Sequence, residues 1–406
     1  MSTSQDNTTD VAVRAAGWRE RQVIKRLEQM RCGRLDLTLP DGRVLCFEGP
    51  GEGPRASLRM RSPRMVTRLF KAGSVGFAEG YIAGDWDSDD LPGLIYLLHL
   101  NTVALEPGFS RLQWLYTRFS ALRHRLRANS RSGSKRNIAY HYDLGNDFYA
   151  RWLDETWTYS AALFDRPNEP LADAQRRKYQ RLLDRLEVAP GDHILEVGCG
   201  WGGFARYAAE QADVRVTGIT LSEQQLALAR AKAEAAGLAE RIDFQLLDYR
   251  DVEQRYDHVV SIEMYEAVGQ AYWPVYFQAI RDALKPGGRA AIQAITIDDA
   301  RFDYYRNHVD FIQAYIFPGG MLASPSVFCE QAEAAGLIER ERDFHGHDYA
   351  RTLMRWDTAV VAAGADIEAE RGAEFYRMWR YYLAYCAAGF TSGHIDLMQI
   401  AFERPK

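Results

Sequence analysis

The sequence predicts an α/β fold in which a small α+β domain precedes a doubly wound parallel sheet. From residue 190 onward, short apolar runs alternate with stretches of helical periodicity, as they do in a parallel sheet with helices on both faces. A glycine-rich turn follows the first of these runs, at residues 198–203. Before residue 106, two apolar runs flank a Pro-Asp-Gly turn and helical stretches follow, which is typical of a small α+β domain.

The composition is that of a globular protein, since 47% of the 406 residues are hydrophobic and 26% are charged. The five cysteines are scattered and none has metal-ligand spacing, so we expect no metal site and a reducing cytoplasm. The polar first ten residues argue against a secretory signal. No run approaches the ~20 apolar residues that a bilayer span requires. We therefore expect a cytoplasmic protein with at most peripheral membrane contact.

Charge is distributed unevenly along the chain. Over residues 1–136, Lys and Arg number 22 against 14 Asp and Glu, whereas the whole chain carries a formal net charge of −5. A basic front of this kind can meet an anionic polymer or an anionic lipid surface. We call residues 107–136 the basic linker. Its first part has the pattern of a basic amphipathic helix, and a solvated linker is the alternative.

The front domain is expected over residues 1–106 and a second domain over residues 137–406. Within the front domain, residues 15–31 are predicted helical, residues 35–49 form two short strands, and residues 57–101 are mostly helical. In the second domain, five apolar runs are predicted strands, with a helix after the second of them. These runs are HILEVG, RVTGIT, DFQLLD, HVVSIE and RAAIQAI.

The glycine-rich turn indicates a ligand site. A predicted strand ends near Glu196, and Gly198, Gly200 and Gly202 lead from it into a helix. Glycine lets the backbone approach a ligand closely at the carboxyl end of such a strand. The spacing of Gly198, Gly200 and Gly203 also satisfies the G-x-G-x-x-G dinucleotide fingerprint. A structural turn without a ligand is a further alternative.

Two later strand ends extend this candidate site. The segment GITLSEQQ (218–225) lies at the end of the second predicted strand. Asp248 lies at the end of the third, where a carboxylate can accept a hydrogen bond from an adenine amine or can simply cap a helix.

Several segments together resemble the cyclopropane-fatty-acyl-phospholipid synthase family, which includes the mycolic acid cyclopropane synthases. The acidic residue of EVGCGWG matches the first motif of S-adenosylmethionine-dependent methyltransferases, which favours that ligand over a dinucleotide. The resemblance covers essentially the whole chain. The segments that carry it are GFAEGYIAGDWD (76–87), IAYHYDLGNDFYARWLDETWTYS (138–160), EVGCGWGG (196–203), SIEMYEAVG (261–269), FIQAYIFPGGMLASP (311–325), HDYARTLMRW (347–356) and YYLAYCAAGF (381–390).

The resemblance implies a Rossmann-like class I methyltransferase domain with a helical cap and a lipid-engaging front domain. It implies transfer of the methyl carbon of S-adenosylmethionine to the double bond of an unsaturated phospholipid acyl chain, forming a cyclopropane. We accordingly expect a peripheral protein of the inner membrane face, in contact with anionic lipid, as a homodimer and without nucleic acid. The implied cofactor-binding residues are Tyr159, Ser160, Glu196, Gly198, Gly200, Gly202, Thr220, Leu221, Gln225, Asp248, Tyr249 and Ile262.

The implied chemistry passes through a carbocation, so it needs a pocket that excludes water and presents aromatic faces. Aromatic residues are abundant in residues 140–164 and 304–317. In this family a bound bicarbonate is thought to remove a proton from the added methyl group. The matching positions are the side chains of Glu266, Tyr349, Cys386 and Gln293 and the backbone amide of Ile295.

Two of these positions depart from the family. Gln293 stands where the family has a histidine, and Ala161 stands where many members have a cysteine. Both favour an alternative product, a methylene- or methyl-branched fatty acid. Cys386 has a simpler interpretation as a small buried hydrophobe, and Glu266 as a charge at a helix N-terminus. A non-catalytic lipid-binding protein and a small-molecule methyltransferase are further alternatives.

The basic linker generates the first prediction. Replacing Arg123, Arg125 and Arg127 with Ser should weaken binding to anionic vesicles, most visibly at low salt, where charges are least screened. Each Lys or Arg near an anionic surface contributes roughly 1 kcal/mol, so three engaged residues suffice for a measurable effect. A vesicle co-sedimentation assay checks this. Equal binding by variant and parent would show that the segment is only a linker.

Overall fold

The computed structural model describes residues 17–105 and 144–406, so the basic linker and its arginines lie outside the described residues. The described residues form two compact units. The first unit holds residues 17–105, 308–314 and 364–392, and the second holds the remainder.

The first unit contains a four-stranded sheet in the order β2-β1-β3-β4. Strands β1 and β2 pair antiparallel around the Pro-Asp-Gly turn, with Leu37 opposite Leu45, which confirms the predicted hairpin. The elements up to residue 105 are α1 (Trp18–Leu27), β1 (Cys32–Thr38), β2 (Val44–Glu48), β3 (Gly51–Met60), α2 (Arg64–Ile82), β4 (Trp86–Asp87), α3 (Leu91–Leu100) and α4 (Thr102–Leu105).

The predicted helical stretch was wrong at its beginning. Residues 57–60 belong to β3, which pairs parallel with β1. Leu58 and Met60 are buried while Arg59 between them is exposed. This alternation has the period of a strand with one covered face. The helical prediction holds for α2 and α3.

The second unit contains a seven-stranded sheet in the order β10-β11-β9-β8-β5-β6-β7. Its five strands β5 to β9 run parallel, while β11 is antiparallel to both β9 and β10. The predicted α/β fold is therefore confirmed, with two strands added, β10 and β11, of which β11 is antiparallel to its neighbours. The strands are β5 (His193–Val197), β6 (Arg215–Thr220), β7 (Ile242–Leu246), β8 (Tyr256–Ile262), β9 (Leu284–Ile297), β10 (Ile338–Phe344) and β11 (Ile395–Glu403).

Ten helices follow residue 144 in the described part of the chain, and the last two of them belong to the first unit. Short 3-10 turns at Tyr249–Asp251 and Tyr265–Ala267 follow β7 and β8. The helices are α5 (Asn146–Ala150), α6 (Leu171–Leu186), α7 (Gly203–Gln211), α8 (Glu223–Ala235), α9 (Trp273–Ala283), α10 (Asp299–Tyr305), α11 (Pro325–Ala334), α12 (Gly346–Ala362), α13 (Gly364–Arg371) and α14 (Ala373–Thr391).

The parallel strands are apolar along their length because the sheet is covered on both faces. Successive side chains of a strand point to opposite faces. Ile194 accordingly joins a core that includes residues of α6, α7 and α8, whereas Leu195 joins a core built with α9 and α11. Both side chains are buried. This arrangement explains why the strand runs lack the polar alternation of a sheet with one wet face.

The parallel strands bring four chain segments to one edge of the sheet. Strands β5, β6, β7 and β8 all end there, so the loops that follow them lie side by side. These loops contain the glycine-rich turn, residues 221–225, residues 247–249 and residues 263–267. The fold therefore builds a crevice at this edge. Within the described residues, no helix is both long and apolar enough to cross a bilayer.

Candidate active site

A pocket of the second unit lies at this edge of the sheet, bounded by all four loops and by residues 157–160. Ten of the twelve predicted cofactor residues line it. These are Tyr159, Ser160, Glu196, Gly198, Gly200, Thr220, Leu221, Gln225, Tyr249 and Ile262. The other two, Gly202 and Asp248, do not line it.

The glycine-rich turn presents its backbone to open space. Gly198 and Gly200 have φ values of +82° and +52°, in the left-handed region that favours glycine. A Cβ added at Gly200 would meet no atom within 4 Å, so the backbone there borders the pocket directly. Gly202 serves a different purpose, because its added Cβ would lie 2.5 Å from the Phe244 ring. Its small size permits close packing of α7 against the sheet.

Glu196 is a candidate acceptor at the pocket wall. Its residue is 3% exposed, and its Oε2 has no hydrogen-bond partner among the described residues. Burial raises the pKa of Glu196 to about 8, and the nearby ammonium group of Lys178 partly offsets this. A buried oxygen without a partner is costly, so this wall suits a ligand that donates a hydrogen bond.

Helix α6 fixes one side of the pocket through Ser160. The Lys178 Nζ donates to Ser160 Oγ at 2.7 Å, and Gln175 Nε2 donates to the Ser160 carbonyl at 2.8 Å. Both donors are fully buried, and burial lowers the pKa of Lys178 to about 8. Lys178 was not predicted to be a site residue, because a lysine at a helical position ordinarily lies on a solvated face.

Asp248 has a partner on its own loop. Its carboxylate accepts from the backbone N–H of Arg250 at 3.0 Å and from the guanidinium at 2.8 and 2.6 Å. Its neighbours Leu247 and Tyr249 line the pocket. A contact between Asp248 and an adenine therefore stays a prediction, and in this structure the carboxylate caps and holds its own turn.

The most connected polar group at the pocket is Glu263, which follows β8 directly. Its Oε1 accepts from the backbone N–H of Ala161 at 2.8 Å and from Gln293 Nε2 at 2.8 Å. Its Oε2 accepts from the hydroxyl of Tyr349 at 2.5 Å. Part of the residue faces the pocket, while Ala161 and Gln293 are fully buried. Three donors from three different chain segments thus converge on one carboxylate.

Glu266 lies one turn later and binds a different donor. Its Oε1 accepts from the backbone N–H of Ile295 at 2.5 Å, and its buried Oε2 has no hydrogen-bond partner among the described residues. Burial raises the pKa of Glu266 to about 8, and the neighbouring Glu263 adds to the rise. Two carboxylates thus lie near each other, and they disfavour each other's ionisation.

Of the five residues implied for bicarbonate, the four in the second unit divide between two carboxyl groups. Tyr349 and Gln293 bind Glu263, whereas the Ile295 amide binds Glu266. Gln293 also accepts through Oε1 from Gln399 at 2.7 Å. Cys386 lies on α14 in the first unit, where burial raises the pKa of its thiol above the ordinary value.

Glu263 is a site residue that sequence analysis missed. It is the last residue of the apolar run HVVSIE, which the sequence analysis interprets only as a strand. One signal could have identified it as a site residue. It is an acidic residue directly after a buried parallel strand, at the edge of the sheet where ligands bind. Its three donors come from positions distant in sequence, and nothing in the sequence pairs them with it.

Aromatic rings form another wall of the site. The Tyr159 ring lies 5.3 Å from Trp356, 5.4 Å from Trp152 and 5.5 Å from Tyr149, measured between ring centroids. Tyr159 and Trp157 line the pocket. Aromatic faces attract cations, and water is scarce beside them. The site thus combines a close backbone turn, an apolar aromatic wall and a carboxylate held in place, which suits chemistry on a cationic ligand or intermediate.

Known proteins with related sequences cover most of this chain. The family model described as mycolic acid cyclopropane synthetase matches residues 129–400. Tuberculostearic acid methyltransferase UfaA1 of Mycobacterium tuberculosis is 42% identical over 374 residues, which cover 88% of this chain and 86% of that protein. The cyclopropane-fatty-acyl-phospholipid synthase of Escherichia coli K12 is 33% identical, over 87% of this chain and 89% of that one.

A solved structure extends the likeness to the fold. The cyclopropane synthase MmaA2 from Mycobacterium tuberculosis is 30% identical to this chain and superposes with a TM-score of 0.63. The match covers 66% of this chain and 98% of MmaA2.

The raised pKa of Glu266 predicts a pH-dependent gain in stability for Glu266→Gln. The folded state retains the proton up to a pH near 8, whereas the unfolded chain loses it near its ordinary pKa, so wild-type stability falls as the pH rises through this window. Glutamine keeps an oxygen for the Ile295 amide and removes the charge. The variant should be the more stable protein by over ~1 kcal/mol at about pH 9, with a smaller gain at about pH 5.

Urea titrations at both pH values measure this difference, and Glu253→Gln, at an exposed position, is the matched control. A gain that does not change with pH would show that Glu266 is ionised in the folded state throughout.

Proposed function

The chain belongs to the mycolic acid cyclopropane synthetase family and is an S-adenosylmethionine-dependent methyltransferase, and we propose that it methylates an unsaturated acyl chain. In this proposal the methyl carbon of S-adenosylmethionine is added to the double bond of a membrane phospholipid's acyl chain, which becomes a cyclopropane fatty acid. The substrate class agrees with the name of the E. coli relative, a cyclopropane-fatty-acyl-phospholipid synthase.

The observation that carries the proposal is the pocket at the carboxyl edge of the sheet. The open space beside Gly200 and the unpartnered Oε2 of Glu196 fit a ligand that needs close backbone approach and donates hydrogen bonds. We propose that the glycine turn, Glu196 and the Thr220–Gln225 segment hold S-adenosylmethionine, with Tyr159 and Ser160 at its methionine end. When bound, this co-substrate supplies an electrophilic methyl carbon.

The remaining residues suit the fate of the lipid after methylation. An alkene that accepts a methyl cation becomes a carbocation, which water would quench. The rings of Tyr159 and Trp157 at the pocket wall would exclude water and stabilise positive charge. The Lys178–Ser160 hydrogen bond holds this wall against α6. The pocket therefore protects the cation until a proton is removed.

A branched product is a second candidate, and specific observations favour it. Ala161 offers no thiol, and Gln293 is committed to Glu263 and Gln399. The 42% identical relative is named a tuberculostearic acid methyltransferase. In this candidate the same methyl transfer is followed by a hydride shift, and loss of a methyl proton then gives a methylene branch in place of a ring.

The surroundings of the substrate extend the proposal beyond the pocket. A phospholipid substrate requires contact with a membrane surface, so we propose a peripheral protein at the cytoplasmic face of the membrane. The basic linker, which lies outside the described residues, would meet anionic lipid there. The family resemblance also implies bicarbonate binding and a homodimer. The homodimer stays a proposal here.

Incubation with S-adenosylmethionine and mixed unsaturated phospholipid vesicles tests the function. The fatty acid methyl esters should gain the mass of one CH₂ group, and proton NMR should reveal cyclopropane ring protons. Vinylidene protons in their place would identify the methylene-branched product, since the two products are isomers. Unchanged fatty acids, with a protein that binds S-adenosylmethionine, would contradict the proposed substrate class.

Gly200→Val should abolish S-adenosylmethionine binding, because a branched side chain would fill the space beside the turn. Isothermal titration calorimetry measures the affinity. Gly237→Val is the matched control, since Gly237 also has a left-handed φ, +70°, and open surroundings but lies outside the pocket. Retained affinity in Gly200→Val would contradict this placement of the ligand, and lost affinity in both variants would point to misfolding.

A further inference from the structure

The carboxylate of Glu263 supports an inference that rests on the proposed methyl transfer and specifies its base. We infer that Glu263 is the general base that removes a proton from the transferred methyl group, in the place that the family resemblance gives to bicarbonate. The chain then carries its own base and needs no dissolved anion.

Bicarbonate does not fit the described site. Two of the expected donors, Gln293 and Tyr349, already bind the carboxylate of Glu263, together with the Ala161 amide. A third expected donor, the Ile295 amide, binds Glu266. An added anion would have to displace these bonds beside two buried carboxyl groups that disfavour further negative charge.

The carboxylate of Glu263 resembles bicarbonate in its geometry. A carboxylate and a bicarbonate both present two oxygens on one planar carbon, and both accept hydrogen bonds from the same donors. The Ala161 and Gln293 donors meet on one oxygen of Glu263, and Tyr349 meets the other. Glu263 therefore completes the kind of contact set that a bound bicarbonate would need.

The backbone at Glu263 is strained. Its φ is +51°, in the left-handed region where a residue with a Cβ costs about 1 kcal/mol or more. Glycine would occupy this position without that cost. Strained residues persist where surrounding structure and function require their side chains, and this side chain faces the pocket.

The hydrogen bonds to Glu263 affect the charge of its carboxyl group. Burial raises the pKa of Glu263, while the Tyr349 hydroxyl, the charge of Lys178 and the other donors counteract the rise. Hydrogen bonds to both oxygens favour the ionised form, which alone accepts at both. A carboxylate that is ionised but desolvated is a stronger base than one in water.

The proton transfer balances without any further reactant. The carbon–sulfur bond of the methyl donor breaks as a new carbon–carbon bond forms, which leaves a cation on the adjacent alkene carbon. Glu263 accepts a proton from the added methyl group, and the electrons of that carbon–hydrogen bond close the ring. After a hydride shift the same electrons form the methylene double bond instead. Protonated Glu263 then returns its proton to water.

The decisive experiment measures turnover with and without bicarbonate. The wild-type protein should convert unsaturated phospholipid at the same rate in carbon-dioxide-free buffer and after bicarbonate addition. This arm requires no substitution, so it does not depend on the folding of a variant. A rate that falls on bicarbonate removal and recovers on its addition would overturn the inference.

Two variants at Glu263 test the residue itself. Glu263→Gly should lose about 100-fold or more in turnover and recover part of it with bicarbonate or formate, because glycine frees the three donors and suits the positive φ. Glu263→Gln should show the same loss without recovery, since its amide still fills the site. Full turnover by Glu263→Gln would overturn the inference, and so would a loss in Glu263→Gly that neither anion relieves.

Binding measurements separate the base from a structural role and from the proposed function. Both variants should bind S-adenosylmethionine like the wild type in calorimetry. ¹³C-labelled bicarbonate should bind to Glu263→Gly and not to the wild type, which is measurable even if no lipid is converted. A wild type that converts no unsaturated lipid would refute the proposed function alone, whereas equal bicarbonate binding by both proteins would overturn the inference alone.

Discussion

The organisation of the site depends on the hydrogen bonding of one carboxylate, that of Glu263. A carboxylate removed from water must be satisfied by donors, and here they come from the segment before α6, from β9 and from α12. The backbone N–H of Glu263 also donates to the Gln293 carbonyl at 2.8 Å. The carboxylate thereby ties three chain segments to the end of β8. Because that end borders the pocket, the same bonds fix the charge that the pocket presents to its ligand.

This constraint connects departures from the family that appear unrelated in sequence. Ala161 contributes its backbone N–H, for which its side chain is irrelevant, and Gln293 contributes an amide that donates to Glu263 while its oxygen accepts from Gln399. With Glu263 present, they satisfy an acceptor that belongs to the chain. The family's bicarbonate site and this carboxylate site are therefore alternative solutions to one requirement, a positioned base beside a cation.

The sequence was sufficient to predict the parallel strands β5 to β9 and the ligand edge, because both follow from local patterns, but it did not predict β10 and β11. Apolar runs such as HILEVG mark buried parallel strands, and the glycines at 198 and 200 mark the turn beside the pocket. Prediction failed where the outcome depends on contacts distant in sequence. The sequence around Lys178 is that of a solvated helix position, and only the hydrogen bond to Ser160 in the folded structure identifies it as a buried residue. Glu263 likewise is recognised as a site residue only from its donors on β9 and α12. At residues 57–60 the prediction failed locally, because a segment whose side chains alternate between buried and exposed, as in a strand, was predicted to be helical.

The most direct test of this account is a crystal structure with S-adenosylhomocysteine, grown in the presence of bicarbonate. The account predicts density for the Glu263 carboxylate within hydrogen-bond distance of the Ala161 amide, Gln293 and Tyr349, with no separate anion between them. Planar density for a bound anion at those three donors, with the Glu263 side chain turned away, would contradict it.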